Sequence, residues 1–562
     1  MEHLTSPGSS APAAREKAVT REKAVAREKA VAREEAVARA QRKPVTPIRG
    51  ESGTRPRKKR RHRLAGLDGS VGWTGRIRAV GLAVAVVLFT VVAVKADALG
   101  SSPRLAAGVA TTVACLGIAV LTLSLPGRRI TLGSVYFLVF ALFHTGLCPY
   151  IAFGQVPRLL VEASPVNSAW YHSPMLAPAL TAVILGMLAL LIGYLGIVSL
   201  VGWRHTIVAR SGVTDRAGQP GLEIVGFSMI TTGVLLWFVF AATQDSTFFL
   251  TQSYESFRTA TVGQPIPYLY LLIGLGMGLL GLSQWTRLHR WGLVIFASFA
   301  LSAGIIGIRN MVFIPLAAWL VAAGSRRTIR LRPWLVPALL VGLTVGSLAR
   351  QVRQTGLSAT QRDSVTINPL DGVAELGTTL RTMVVTHQWH AEWNEPFVGW
   401  GTYWAPLERI VVGRLFGETV TTTSADIRVF SATILDRVGA IGGSPAAEAY
   451  RAAGLVGVVT VMLLIGALIA WIDLRPADSI LGSATGMIGY ILLVWIRNDF
   501  TPVVVQTLAC FTTVALVALV NRYRAASSAR ASSPPPATLA ARHQVPAAAP
   551  FSVERKEIRP LT

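Results

Sequence analysis

The stretch "GGSPAAEAYRAAGLVGVVTVMLLIG", residues 442–466, sets a Ser-Pro step, a glutamate, a tyrosine and an arginine directly against a run suited to lipid. Ser444 carries a good N-cap oxygen, Pro445 suits the first helical position, and Glu448 stands near the positive end of the helix dipole. The apolar run over 452–471 is long enough to cross a bilayer. Gly454 and Gly457 let a neighbouring helix approach closely. The segment therefore reads as a capped membrane helix. Whether its polar cap is also the rim of an active site depends on the side of the membrane it faces.

Runs of the same kind recur through the chain, which has 562 residues, is 52% hydrophobic and has a mean hydropathy of +0.49. They predict an all-α polytopic membrane protein of about 12 transmembrane helices. The expected spans are 79–97, 104–124, 131–153, 175–200, 223–243, 267–283, 291–308, 311–324, 333–349, 452–471, 480–496 and 501–521. The formal charge of +25 does not point to nucleic acid, because it concentrates in the tails. Residues 1–78 hold 20 Lys/Arg against 8 Asp/Glu, and residues 522–562 hold 7 against 2. Basic tails beside spans are what cytoplasmic retention and anionic headgroups favour. Cys115, Cys148 and Cys510 lie far apart and form no CxxC pair, so neither a disulfide framework nor a zinc site is expected.

The polar leader ahead of the first span is too long for a cleavable signal, so that span is expected to act as a signal anchor with the N-terminus inside. The leader repeats "REKAVA" from residue 15 to 38; a six-residue step turns valines three different ways on a helix, so no coiled-coil stripe forms. We expect 1–78 to be a basic, disordered cytoplasmic arm and 522–562 a disordered cytoplasmic tail. With the N-terminus inside, the expected inner connections "PGRRI", "WRHTIVARSGVTDRAGQP", "QWTRLHR", "SRRTIRLR" and "DLRPADS" all carry arginine. The same count puts 79–349 in nine spans, 350–451 in one large outer-face loop between spans 9 and 10, and 452–521 in the last three spans.

That loop is the only connection large enough to build a site. Residues 350–450 hold eight arginines, no lysine, ten carboxylates and two histidines. Guanidinium forks grip phosphate oxygens in pairs, so Arg353, Arg381 and Arg428 are candidate diphosphate ligands. Short outer connections add Arg258, Arg309, and Arg497 with Asp499, charges that at membrane depth face a cavity or a partner. Trp389 and Trp393 offer faces for stacking on sugar rings or for anchoring at an interface. Glu448, His387, His390 and Glu392 are the candidate proton acceptors. His387 and His390 share a helix face, but no fourth ligand at suitable spacing accompanies them, so no metal is expected.

This plan resembles the O-antigen polymerases, the Wzy-type oligosaccharide repeat-unit polymerases related to O-antigen ligases. The likeness rests on the late outer loop, on Ser444, Pro445, Glu448, Tyr450, Gly454 and Gly457 at its exit, on "GIIGIRNMVFIPLAAWLVAAGSRR" (304–327) and on "WIRNDF" (495–500). Ala453 stands where that family usually has an aromatic. The resemblance implies a membrane glycosyltransferase without a cofactor. Its donor would be a polyprenyl-diphosphate-linked oligosaccharide, used at the outer face of the cytoplasmic membrane. It implies bilayer, flippase and chain-length regulator partners, and outer-face arginines as diphosphate binders at Arg258, Arg309, Arg428 and Arg497. An O-antigen-ligase-like transferase is the near alternative. A polytopic transporter or flippase is the farther one, disfavoured because the long connection follows span nine and no repeat relates the halves.

Overall fold

The computed structural model describes residues 58–124, 130–161, 163–205, 220–244, 257, 261, 264–326, 369–417, 419–475, 479 and 481–532. The chain divides into Met1–Gly66 and Leu67–Thr562, and the architecture below is that of the second unit. Among the described residues every regular element is helical. In chain order, short one-turn helices aside, the chain first forms α1 (Trp73–Val94), α2 (Pro103–Ser124), α3 (Leu132–Thr145), α4 (Leu176–His205), α5 (Pro220–Gln244), α6 (Ile266–Leu282), α7 (Arg287–Ile306) and α8 (Asn310–Arg326). Four short helices follow: α9 (Pro369–Leu376), α10 (Leu380–Ala391), α11 (Gly401–Glu408) and α12 (Phe430–Arg437). The chain then returns to the bundle through α13 (Pro445–Asp473), α14 (Thr485–Trp495) and α15 (Thr501–Ser532).

Seven of these helices, α1, α2, α4, α5, α7, α13 and α15, are long and apolar enough to cross a membrane, and α3, α6, α8 and α14 are shorter apolar helices. The molecule is a multi-pass helical membrane protein. The expected span 333–349 and the first part of the expected loop, 350–368, lie outside the described residues. Two boundaries move for local reasons. The run expected at 131–153 closes at Thr145 and resumes as Cys148–Ala152, with Pro149 in the first turn of the new helix, the position proline tolerates. The run expected at 452–471 begins seven residues earlier, at Pro445, because Ser444 accepts from the Ala446 amide and starts the helix there.

Small residues let the central helices touch backbone to backbone. A Cβ on Gly193 of α4 would fall 2.2 Å from the Leu463 carbonyl of α13, and one on Gly466 of α13 would fall 2.2 Å from the Leu190 carbonyl of α4. In lipid such contact, rather than hydrophobic expulsion, drives helix association. At one end of the bundle Asp473 of α13 accepts from the Leu132 and Gly133 amides at 3.0 and 2.9 Å and from the Tyr194 hydroxyl at 3.0 Å. A carboxylate is thereby set on the N-terminus of α3, where the helix dipole favours it. The opposite end carries the α7–α8 and α14–α15 connections, the start of α13, and α9–α12 packed across them.

Candidate functional site

The region entering α13 departs from an ordinary capped helix. α13 breaks at Ala453 (φ −154°, ψ 32°) and Gly454 (φ 61°, ψ −146°), a backbone that side chains rarely adopt. The break releases the Arg451 and Ala452 carbonyls, which accept from the Val398 and Gly399 amides at 3.1 and 3.0 Å. A polar group freed in a membrane helix must be satisfied by neighbouring protein, and here the α10–α11 segment does it. Glu448, one turn before the break, is 1% exposed and accepts from the Thr402 hydroxyl at 2.9 Å and the Phe500 amide at 2.8 Å. It ties α11 and the start of α15 to α13.

The residues expected to serve as bases do not gather in one place. Glu448 is enclosed as described. His387, expected in a water-exposed loop, is instead 3% exposed, within 2.9 Å of the Met383 carbonyl and stacked on Tyr450 at 3.6 Å between ring centroids. The reason is that α10 turns this face onto α13, and burial pulls the imidazole down to about 4. His390 sits 2.7 Å from the Glu395 carbonyl and tilts against Phe397, while Glu392 is exposed. Trp389 is fully buried, with the guanidiniums of Arg437 and Arg451 at 5.0 and 5.6 Å from its ring, so its faces are spent inside the protein. Trp393 is exposed.

Arg428 belongs to a separate ion cluster, with Asp426 and Glu408, which Arg409 joins through Asp426 at 2.7 Å. Burial raises the Asp426 pKa, but the hydrogen bonds and charges of Arg428 and Arg409 outweigh it and hold the carboxyl below its usual range. Asp499 is 2% exposed and accepts from the Ser431 amide and hydroxyl and from the Thr501 hydroxyl, fastening α12 to the start of α15. Arg258 and Arg353 lie outside the described residues.

Three of the expected arginines do meet. Arg309, Arg381 and Arg497 line one cavity of about 790 Å³, within the size range of small-molecule sites, at the end of the bundle that α9 and α10 cover. Arg309 is delivered by a three-residue α7–α8 connection that begins with a left-handed Gly307. Its Nη1 donates to Glu375 Oε2 at 2.7 Å, while its Nε and Nη2 are buried and find no acceptor among the described residues. Arg381 Nη1 reaches Asn167 Oδ1 at 3.4 Å, its Nε is likewise buried without an acceptor among the described residues, and burial pulls its pKa down. Arg497 is held through its own backbone, whose carbonyl accepts from the Gly443 amide at 3.0 Å, and its guanidinium lies 5.9 Å from the Phe143 ring. Its lining is mixed, polar at Asn167, Asn498 and Glu375 and apolar at Leu159, Leu160, Ile308, Met311 and Pro502. A cavity lined by both cationic forks and apolar surface suits an amphiphilic anion.

Glu375, Asn167 and Asn498 carry no signal strong enough to find from sequence. Glu375 is one of ten carboxylates in its loop, Asn167 sits in a short connection, and Asn498 stands inside "WIRNDF" with no role apparent from its neighbours.

The family description O-antigen polysaccharide polymerase Wzy matches residues 82–525, from within α1 to within α15. No curated protein and no solved structure matches the chain. The match takes in the bundle, the helices that cover its end and the arginine cavity between them. The chain belongs to the O-antigen polysaccharide polymerase Wzy family.

Proposed function

We propose that the protein joins oligosaccharide repeat units carried on a polyprenyl diphosphate, at the outer face of the cytoplasmic membrane, with both termini inside. In this reading 333–349 forms a ninth span, 350–451 is the outer loop, and the chain crosses twelve times. The observation that carries it is the meeting of Arg309, Arg381 and Arg497 from three separate chain segments on one cavity. Transfer breaks the bond between the anomeric carbon and the diphosphate oxygen, so negative charge grows on the leaving group. Preorganised guanidiniums in a partly dry site stabilise that charge far better than water does. The apolar part of the lining receives the first isoprene units, and the acceptor sugar enters from the loop side.

The test is a gene deletion followed by electrophoresis of the surface glycan. Loss of the long ladder with single lipid-linked units retained supports polymerisation; an unchanged chain length, or units trapped inside the cell, refutes it. A full-length glycan left on its lipid instead indicates ligase-like transfer through the same cavity. In the complemented strain Arg309→Ala and Arg497→Ala abolish the ladder at normal protein abundance. Full activity in both removes the cavity from the chemistry.

A further inference from the structure

Transfer to a hydroxyl needs a proton acceptor beside the leaving group, and the cavity offers one group of that kind. Among its described lining residues Glu375 is the sole carboxylate, and no described histidine lines it. The remaining polar groups of the described lining are amide, hydroxyl, phenol, indole and guanidinium, none of which takes a proton readily near neutral pH. The histidines and Glu448 point elsewhere, and Asp499 is closed off by Ser431 and Thr501.

Glu375 is also well held. It lies in the last turn of α9, a helix fixed to the bundle by the Tyr150 hydroxyl donating to Asp371 at 2.7 Å. Its own carbonyl accepts from the Thr378 hydroxyl at 2.7 Å, and its side chain keeps 22% exposure toward the cavity. The contact with Arg309 uses Nη1 alone. The Nε and Nη2 edge, the side of a guanidinium that forks an anion in two parallel bonds, has no acceptor among the described residues. One guanidinium thus presents a carboxylate on one edge and a vacant fork on the next.

We propose that Glu375 is the general base of the transfer and that Arg309 couples it to the diphosphate; this rests on the cavity reading above. The acceptor hydroxyl gives its proton to Glu375 as its oxygen bonds to the anomeric carbon. The electron pair of the breaking carbon–oxygen bond leaves on the lipid diphosphate, held by the Nε/Nη2 edge of Arg309. Glu375 then releases the proton to water, and the enzyme is restored with all atoms accounted for.

The test pairs two readouts on E375Q, which keeps the shape and a hydrogen-bond acceptor for Arg309 but cannot take the proton. Undecaprenyl diphosphate, the leaving group common to any sugar, serves as the binding probe for purified full-length protein in nanodiscs. General-base removal costs roughly 10²–10⁴-fold in rate, so E375Q loses the ladder while binding the probe within about twofold of wild type. E375D, with the carboxylate drawn back, retains a shortened ladder at normal abundance, and it carries the test should E375Q fail to accumulate. A full ladder in E375Q overturns the base role while leaving the cavity reading intact if R497A is still inactive. Loss of probe binding in E375Q together with the ladder makes Glu375 a positioning residue for Arg309 and likewise overturns it. Wild-type ladders in E375Q, R309A and R497A together reject the cavity itself.

Discussion

The break in α13 makes the sharpest structural prediction, through Gly454→Ala. At φ 61° and ψ −146° Gly454 occupies a region nearly closed to residues with a Cβ, and a Cβ built there falls 3.0 Å from the Phe397 ring. Holding alanine in that conformation costs about 1–3 kcal/mol. The alternative is for α13 to straighten and take back the Arg451 and Ala452 carbonyls. The α10–α11 segment then loses two backbone hydrogen bonds at 3.1 and 3.0 Å, each contributing about 0.5–1.5 kcal/mol net. Both routes cost about the same, so the native loop arrangement is disfavoured by about 1–3 kcal/mol, roughly 5- to 150-fold in population. The bundle contacts of α13 through Gly466 are untouched, so the protein still accumulates. The assay combines abundance in membranes, thermal unfolding in detergent and the length of the surface-glycan ladder. We expect normal abundance, a lower Tm and a shortened or lost ladder. Wild-type Tm and a full ladder would show that the break is incidental and the loop is held by other means.

Two further changes test neighbouring claims. His387 is buried neutral at about 4 against an ordinary 6.5, so its contribution is complete above about pH 6.5 and is lost as the pH falls toward 4, in all about 3 kcal/mol. His387→Phe keeps the stack on Tyr450 and should lose less Tm than wild type between pH 7.5 and 5 in detergent; equal losses would place the acid sensitivity elsewhere. Glu448→Ala leaves the Phe500 amide and Thr402 hydroxyl unpaired, at about 1–3 kcal/mol each, and should deplete the protein, whereas Glu448→Gln keeps an acceptor and should retain the ladder. An abundant but inactive Glu448→Gln protein would give that residue a chemical role.

The helices were legible because lipid demands long apolar runs and leaves few alternatives for backbone polar groups. The cap at Ser444 and Pro445 was legible for the same local reason. The break at Ala453–Gly454 was not: Gly454 reads equally well as a close-packing glycine, and only the arrival of Val398 and Gly399 from fifty residues upstream makes an interrupted helix satisfiable. The site divides along the same line. Arg309 and Arg497 stood out because charge interrupting an apolar run with almost no loop is costly anywhere but beside a cavity. His387, His390, Trp389 and Glu392 looked chemical because they are close in sequence. Yet α10 directs His387 and Trp389 into packing and leaves Glu392 exposed, which no local spacing foretells.

The same physics explains why the arginine cavity has so little counter-charge of its own. Asp426 shows what the chain does when an arginine is to be neutralised permanently: two guanidiniums converge on it and a further carboxylate, Glu408, completes the cluster. Among the described residues three guanidiniums line the cavity against the single carboxylate of Glu375, and Arg309 and Arg381 keep buried donors without acceptors. Buried donors left unpaired are destabilising, and in the proposed reading a ligand entering this site, built from six chain segments, supplies their acceptors. The proposed diphosphate would supply them in number and shape. A second carboxylate would satisfy the same arginines in the resting protein and then compete with the leaving group at the moment of transfer. In the proposed mechanism the one carboxylate of the described lining is therefore best placed where it is, on the edge of Arg309 that the anion does not need.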